Sequence, residues 1–193
     1  MPCVSGSQLA VLGIRDGALA ADMLLRWVHR LVTTQRNRRV GDWLRLTGFD
    51  SWAQEGAMAR ATKRLPVGRM DQAAVGRSVP FFQDWVEHPS AVDAYWRPVL
   101  HTPRPGAVTA AVHLIGGWHD ILLRETLADY EALLAGGSRP YLTLGPWAHT
   151  DLALEKESLR QGLAWFDAHL KGDRRNLRQA PVRHVLQSDH HRS

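Results

Sequence analysis

The clearest pattern of apolar and polar segments lies between Val108 and Leu152. One apolar run, Val108–Ile115, precedes Gly116-Gly117, and a second, Tyr141–Leu144, precedes Gly145-Pro146. Between them, apolar residues recur at helical spacing until Gly136-Gly137. A short apolar run, a helix and another short apolar run predict a right-handed crossover between two parallel strands.

A carboxylate and an imidazole follow these two predicted strands. Asp120 comes after the first strand and His149 after the second. Neighbouring parallel strands lie ~4.8 Å apart, so we expect the two side chains to meet. A carboxylate that orients an imidazole is half of a Ser-His-Asp triad. Alternatively, Asp120 caps the helix that begins at Ile121, and His149 is an ordinary loop histidine; spacing alone leaves both interpretations open.

Helical periodicity dominates the first half of the chain. It predicts a helix from Asp16, a second from Ser51 to Arg64, and a third between Val79-Pro80 and His88-Pro89. The apolar stripe of the first helix consists of Leu19, Met23, Leu24, Trp27, Val28 and Leu31. Four of the eight tryptophans lie between Gly41 and Trp96: Trp43, Trp52, Trp85 and Trp96. These rings would fit either a packed core or the lining of an acyl pocket.

The pattern after His149 predicts a long amphipathic helix and a final strand. The helix covers Leu154–Leu170 and ends at Lys171-Gly172, where a cation and a glycine suit a helix terminus. The apolar residues that define it are Leu159, Leu163, Trp165, Phe166 and Leu170. The strand is predicted within Pro181–Leu186.

Charge and composition narrow the function classes. The net charge of +5 is concentrated near the carboxyl end of the chain, where six basic residues from Lys171 onward face two acidic ones. Neither this segment nor the cluster of Arg36, Arg38 and Arg39 is interleaved with aromatics, so we predict no nucleic-acid partner. No apolar run reaches the ~20 residues of a membrane span and no signal peptide is evident, which predicts a cytoplasmic protein without membrane attachment.

Four motifs, in this order, resemble the cocaine-esterase / X-prolyl dipeptidyl-peptidase family of α/β-hydrolases. They are DWVEHP (84–89) with DAYWR (93–97), GGWHD (116–120), GPWAH (145–149) and GLAWFDAHLKG (162–172). The resemblance implies that Asp120 and His149 are the acid and base of a catalytic triad. It also implies hydrolysis of a small-molecule ester or X-Pro amide without a cofactor.

The same resemblance implies a partial α/β-hydrolase fold, made of its terminal parallel strands and helices together with a helical cap region. Two prolines and a glycine near His101–Gly106 mark the internal boundary. We therefore divide the chain into an irregular start (1–14), a helical cap region (15–100), the carboxyl-terminal part of the hydrolase core (101–187) and a disordered tail (188–193).

The triad nucleophile of an α/β-hydrolase lies on a G-x-S-x-G elbow, and this sequence contains no such motif. Ser5 and Ser7 come nearest, but both lack the flanking glycines and a preceding strand. We therefore expect the chain to be inactive alone and to need an amino-terminal hydrolase half. The alternative is a truncated or degenerate remnant that acts as a non-enzymatic binding or assembly partner, including through self-association.

Other side chains near the dyad allow two further interpretations. His113 and His119 could join Asp120 and His149 as metal ligands, but adjacent and alternating positions do not converge readily, so we predict no metal. Trp118 and Trp147 precede the two dyad residues at matching places. We expect these rings to pack around the dyad, exclude water and contribute to substrate binding.

Overall fold

A computed structural model of the chain describes residues 13–15, 18–36, 51–90, 93–100 and 104–185. Most of the predicted irregular start, the predicted tail (188–193), Trp43 and the side chain of Trp52 lie outside what it describes. The chain forms two compact units, one covering Ser7–Val99 and one covering the residues from Leu100 onward.

The first unit is helical. Its strands and α-helices are β1 (Ile14–Arg15), β2 (Ala18–Leu19), α1 (Ala21–Arg36), α2 (Ser51–Ala61), α3 (Met70–Val75) and α4 (Pro80–Glu87). Short 3-10 helices cover Val67–Arg69 and Ala94–Val99. The first helix begins later than the predicted Asp16, because β1 and β2 pair as an antiparallel hairpin before it. The third prediction is confirmed: α4 begins at Pro80, where a missing N–H costs nothing, and ends before His88.

The core of the helical unit is built from large apolar side chains of α1, α2 and α4. Those with at most 1% exposure are Leu24, Leu25, Val28, Met58 and Phe82. Trp85 and Trp96 are also buried and meet edge to face, which places these two rings in a core. Trp27 is an exception to the predicted stripe, since it is 40% exposed.

The carboxylate of Asp71 is wholly buried in this unit. Asp71 accepts hydrogen bonds from the main-chain N–H groups of Gln72 and Val79 and from the Gln83 side chain, at 2.7 to 2.8 Å. A buried carboxylate is stable only when it is hydrogen-bonded in this way. Asp71 therefore ties α3 to the start of α4.

The second unit is an α/β unit with a three-stranded parallel sheet in the order β3-β4-β5. After a 3-10 helix at Arg104–Ala107, its elements are β3 (His113–His119), α5 (Leu123–Ala135), β4 (Tyr141–Ala148), α6 (Leu152–Leu170) and β5 (Val182–His184). The predicted fold class, a partial α/β-hydrolase fold, is confirmed by these parallel strands and their helices.

The two helices of this unit cover opposite faces of the sheet. Thr126 of α5 lies against Gly116, whereas Gln161 of α6 bonds to Thr143. Gly116 is aligned with Leu144, the neighbour of Thr143, and successive residues of a strand point to opposite faces. Both strands also run beyond the predicted glycine breaks, because the chain continues through Gly116-Gly117 and Gly145-Pro146 with a local bulge.

The predicted apolar face of α6 is wrong for four of its five residues. Leu159, Leu163, Phe166 and Leu170 are 58–77% exposed. The face that packs on the sheet consists of Leu154, Gln161, Trp165 and Ala168. The helix carries apolar side chains on two opposite faces, so its sequence pattern could not tell which face meets the sheet.

None of the helices in the described parts of the chain combines the length and the hydropathy needed to cross a bilayer.

Candidate active site

The site lies where β3 and β4 end. His119 and Ala148, the last residues of the two strands, are aligned in the sheet, so the chain places Asp120 and His149 next to each other. His149 Nδ1 lies 2.9 Å from Asp120 Oδ1. The Asp120 side chain is 4% exposed and the His149 side chain 28%. The two side chains therefore meet at the ends of adjacent parallel strands, as the order of elements led us to expect.

Asp120 is also held by the main chain that follows it. Its Oδ1 atom accepts the N–H of Leu122 at 2.8 Å, just before α5 begins. The capping alternative is wrong, since α5 begins at Leu123 with Leu122 as its N-cap and without a side-chain capping bond. The contact between Asp120 and Leu122 closes the turn before the helix. Since a carboxylate faces Nδ1, the hydrogen-bond network assigns the proton to Nδ1 of His149 and leaves Nε2 on the opposite side of the ring as the basic atom.

Two glycines at the strand ends have no room for a side chain. A Cβ atom on Gly117 would collide with the carbonyl of Trp147, and one on Gly145 would lie 2.5 Å from the Trp147 ring. The main chain of β4 thus passes directly against β3 at the bulge between Gly117 and His119. Gly117 is therefore required by the close backbone approach that brings Asp120 to His149, whereas Gly145 leaves room for the Trp147 ring of its own strand.

The rings of Trp118 and Trp147 make different contacts from each other. The Trp118 indole N–H donates to the carbonyl of Val185 at 2.8 Å, which ties the end of β3 to the residue after β5. The Trp147 ring folds back over Gly145 of its own strand. Both residues are partly buried. Their role in substrate binding stays a prediction.

The other histidines of the metal interpretation do not converge on the dyad. His113 begins β3 and His119 ends it, which separates their Cα atoms by about 20 Å at the usual rise per residue. In the part of the chain that the structure describes, no group of three or more His, Cys, Asp or Glu residues is arranged to hold a metal ion.

His113 belongs instead to a polar cluster under α6. The Thr143 hydroxyl donates to Gln161 Oε1 at 2.8 Å and therefore accepts from His113 Nε2 at 3.0 Å. Arg178 Nη1 donates to the same hydroxyl, and Nη2 donates to the carbonyls of Leu142 and Pro181. Burial, and secondarily the charge of Arg178, lowers the pKa of His113 to about 4.

This cluster fastens α6 and the segment before β5 to one sheet face. The pKa of Arg178 is also lowered by burial. Nearby, the pKa of Glu157 falls to about 2, chiefly because Arg160 donates to its carboxylate, and Arg183 of β5 pairs with the same group. Sequence reasoning missed the cluster, since His113 and Arg178 are 65 positions apart and become neighbours only through strand pairing.

A parallel βαβ unit with an Asp–His pair at its carboxyl edge is the terminal part of an α/β-hydrolase fold. The sequence model of the family described as X-Pro dipeptidyl-peptidase (S15 family) matches residues 1–151 of the 193. This range contains both Asp120 and His149. The chain belongs to this family, as its motifs indicate.

A curated relative is the cocaine esterase of Rhodococcus sp. (strain MB1 Bresler). It is 25% identical over 184 residues, an alignment that covers 86% of this chain and 31% of the relative. The chain thus spans about a third of the length of that protein.

Proposed function

We propose that this chain supplies the acid–base pair of a serine-type acyl hydrolase that cleaves small-molecule esters or X-Pro amides. The observation that carries the proposal is the 2.9 Å contact between His149 Nδ1 and Asp120 Oδ1 at the meeting ends of β3 and β4. The substrate classes rest on the family description, which concerns X-Pro peptides, and on the name of the relative, which is an esterase.

In this mechanism His149 is the general base. Its Nε2 atom takes the proton of a serine hydroxyl while the serine oxygen attacks the acyl carbonyl, and it then gives that proton to the departing alcohol or amine. Water repeats the sequence to release the acid from the acyl-enzyme. Asp120 keeps the proton on Nδ1 and stabilises the imidazolium, and its low exposure strengthens that interaction.

The serine must come from a partner segment, because the sequence has no nucleophile elbow. We propose an amino-terminal hydrolase half that carries the elbow and the oxyanion-hole donors. The chain alone should then not hydrolyse p-nitrophenyl acetate faster than free histidine does. It should also give no stoichiometric adduct with a fluorophosphonate probe. A stoichiometric adduct at Ser5 or Ser7 would overturn this part of the proposal.

The decisive experiment adds the amino-terminal segment of the Rhodococcus cocaine esterase to this chain and follows ester hydrolysis. Hydrolysis should appear and should fall by a factor on the order of 10⁴–10⁶ with His149→Ala, as when a triad base is removed. His88→Ala is the matched control, since His88 also bonds through Nδ1 to an aspartate but lies in the helical unit. Equal rates with and without His149 would refute the assignment.

A second candidate function is a non-enzymatic assembly role. The observation that favours it is the exposed apolar face of α6, formed by Leu152, Leu159, Leu163, Phe166 and Leu170. Contiguous exposed apolar surface commonly marks an interaction site. Under this alternative, a Leu163→Glu variant should lose partner binding or self-association, measured by sedimentation, while His149→Ala should have no effect on either.

A further inference from the structure

The turn between His149 and α6 is closed by a single residue, Asp151. Its Oδ2 atom accepts the main-chain N–H of Ala148 at 2.7 Å, and its own N–H donates to the carbonyl of Ala148 at 3.2 Å. These two bonds join the last residue of β4 to the residue before α6. His149 and Thr150 are the two residues enclosed between them.

The carboxylate of Asp151 does not cap α6, although Asp151 stands at the N-cap position. Asp151 is the N-cap residue of α6, and its carbonyl accepts the N–H groups of Leu154 and Glu155. An aspartate at this position ordinarily accepts a main-chain N–H of the first helical turn with its side chain. Here the side chain makes no capping bond and turns back to Ala148 instead. The carboxylate therefore shapes the turn that carries His149, rather than the helix end.

We propose that Asp151 is a positioning residue for His149, an inference that rests on the proposed function. Asp120 bonds to the imidazole, but it does not restrain the main chain of His149. Asp151 does restrain that main chain. Its two hydrogen bonds to Ala148, which we call the clamp, fix the position of the His149 Cα atom relative to Asp120. With the clamp in place, Nδ1 faces Asp120 and Nε2 faces the opposite side. Without it, the residue keeps its chemistry but loses a defined orientation.

The test compares Asp151→Ala with Asp151→Asn. An asparagine carbonyl can still accept the Ala148 N–H, whereas alanine cannot. Glu155→Ala is the matched control, since it removes a carboxylate one turn further along the same helix. The first measurement is NMR of the chain with ¹⁵N-labelled histidine, which reports the Nδ1–H resonance and the tautomer of His149. The second is kcat and KM of the complex complemented with the amino-terminal segment.

Asp151→Ala should broaden or abolish the Nδ1–H signal of His149, and Asp151→Asn and Glu155→Ala should retain it. In the complex, Asp151→Ala should lower kcat by roughly 10- to 100-fold with little change in KM, a loss of the size expected from a small misplacement of a catalytic group. An unchanged Nδ1–H signal in a folded Asp151→Ala chain would overturn the inference. If that variant does not fold, a lost signal in folded Asp151→Asn would also overturn it, and a retained signal there would support it.

Failure of the proposed function would be recognised separately. A complex that never hydrolyses esters, together with the expected NMR changes, would leave the positioning role standing and remove the catalytic one. An Asp151→Ala complex that hydrolyses esters as well as the parent complex would remove the positioning role and leave the catalytic role of His149 standing.

Discussion

Two histidine–aspartate pairs in the described part of the chain have the same bond but different surroundings. His149 Nδ1 lies 2.9 Å from Asp120 in the α/β unit, and His88 Nδ1 lies 3.1 Å from Asp93 in the helical unit. The imidazoles are similarly exposed, at 28% and 34%. The carboxylates are not, since Asp120 is 4% exposed and Asp93 is 33%.

The partners of each pair explain this difference. His88 and Asp93 are five residues apart at the end of α4, and the His88 ring is stacked on Tyr95 at 4.4 Å. His149 and Asp120 are 29 residues apart and meet only because two parallel strands end together. The first pair fastens a local turn, whereas the second lies at the strand edge where α/β proteins bind ligands. The position in the fold, and not the bond itself, distinguishes a catalytic candidate.

The largest expected effect tests this distinction directly. In the complemented complex, Asp120→Asn should lower turnover on the order of 10⁴-fold, since the neutral side chain favours the wrong imidazole tautomer. Asp93→Asn, the equivalent change in the other pair, should leave turnover unchanged. Steady-state ester hydrolysis measures both. Similar losses in the two variants would remove the functional difference between the pairs.

A second substitution should break one pair and spare the other. Gly117→Ala places a methyl group against the Trp147 carbonyl, so the strand ends must separate. We expect destabilisation of about 3 kcal/mol, the upper end of overpacking costs, and loss of the His149 Nδ1–H signal with that of His88 retained.

Gly162→Ala is the control for this change. A Cβ atom there meets no heavy atom within 4 Å, so alanine in the helix should stabilise the chain by about 0.5–1 kcal/mol. Urea denaturation and histidine NMR provide the measurements. A Gly117→Ala variant as stable as the parent would contradict the close approach of the strands.

Acid should weaken the local pair in a predictable direction. The Tyr95 N–H, and then His88, hold the pKa of Asp93 below its ordinary 3.8. A depressed folded pKa gives stability that is present above the unfolded pKa and is lost as the pH falls through the folded one. The difference in melting temperature between the parent and Asp93→Asn should therefore shrink as the pH falls below about pH 4. A difference that grows as the pH falls below about pH 4 would contradict this.

The smallest expected effect is on stability, and it concerns Tyr95, whose ring stacks on His88. Tyr95→Phe removes the hydroxyl that donates to Asp84 at 2.8 Å but retains the ring stacked on His88. Because the bond is exposed, we expect a loss of about 0.5 kcal/mol in urea denaturation, the low end for a hydrogen bond. Tyr95→Leu, which also removes the stack, should cost more. Equal costs would show that the stack contributes nothing.

Local sequence determined the elements of this protein and the chemistry of its candidate site. Strand–Asp–helix–strand–His order placed Asp120 and His149 together, because parallel strands joined by a helix end at the same edge. Proline at the start of α4 and glycine after α5 marked helix ends, since both act through the conformation of their own residues.

Only the tertiary structure decided the choices that depend on distant residues. Which face of α6 is buried followed from the sheet beneath it, where Thr143 bonds to Gln161 and Tyr141 packs on Trp165. The sequence left open whether Asp120 caps a helix or contacts His149. The structure decides it, because α5 begins only at Leu123 with Leu122 as its N-cap, while β4 brings the imidazole of His149 to the Asp120 carboxylate. The periodicity of apolar residues predicts that a segment is a helix or a strand. Which face of that element is buried depends on residues that are distant in the sequence.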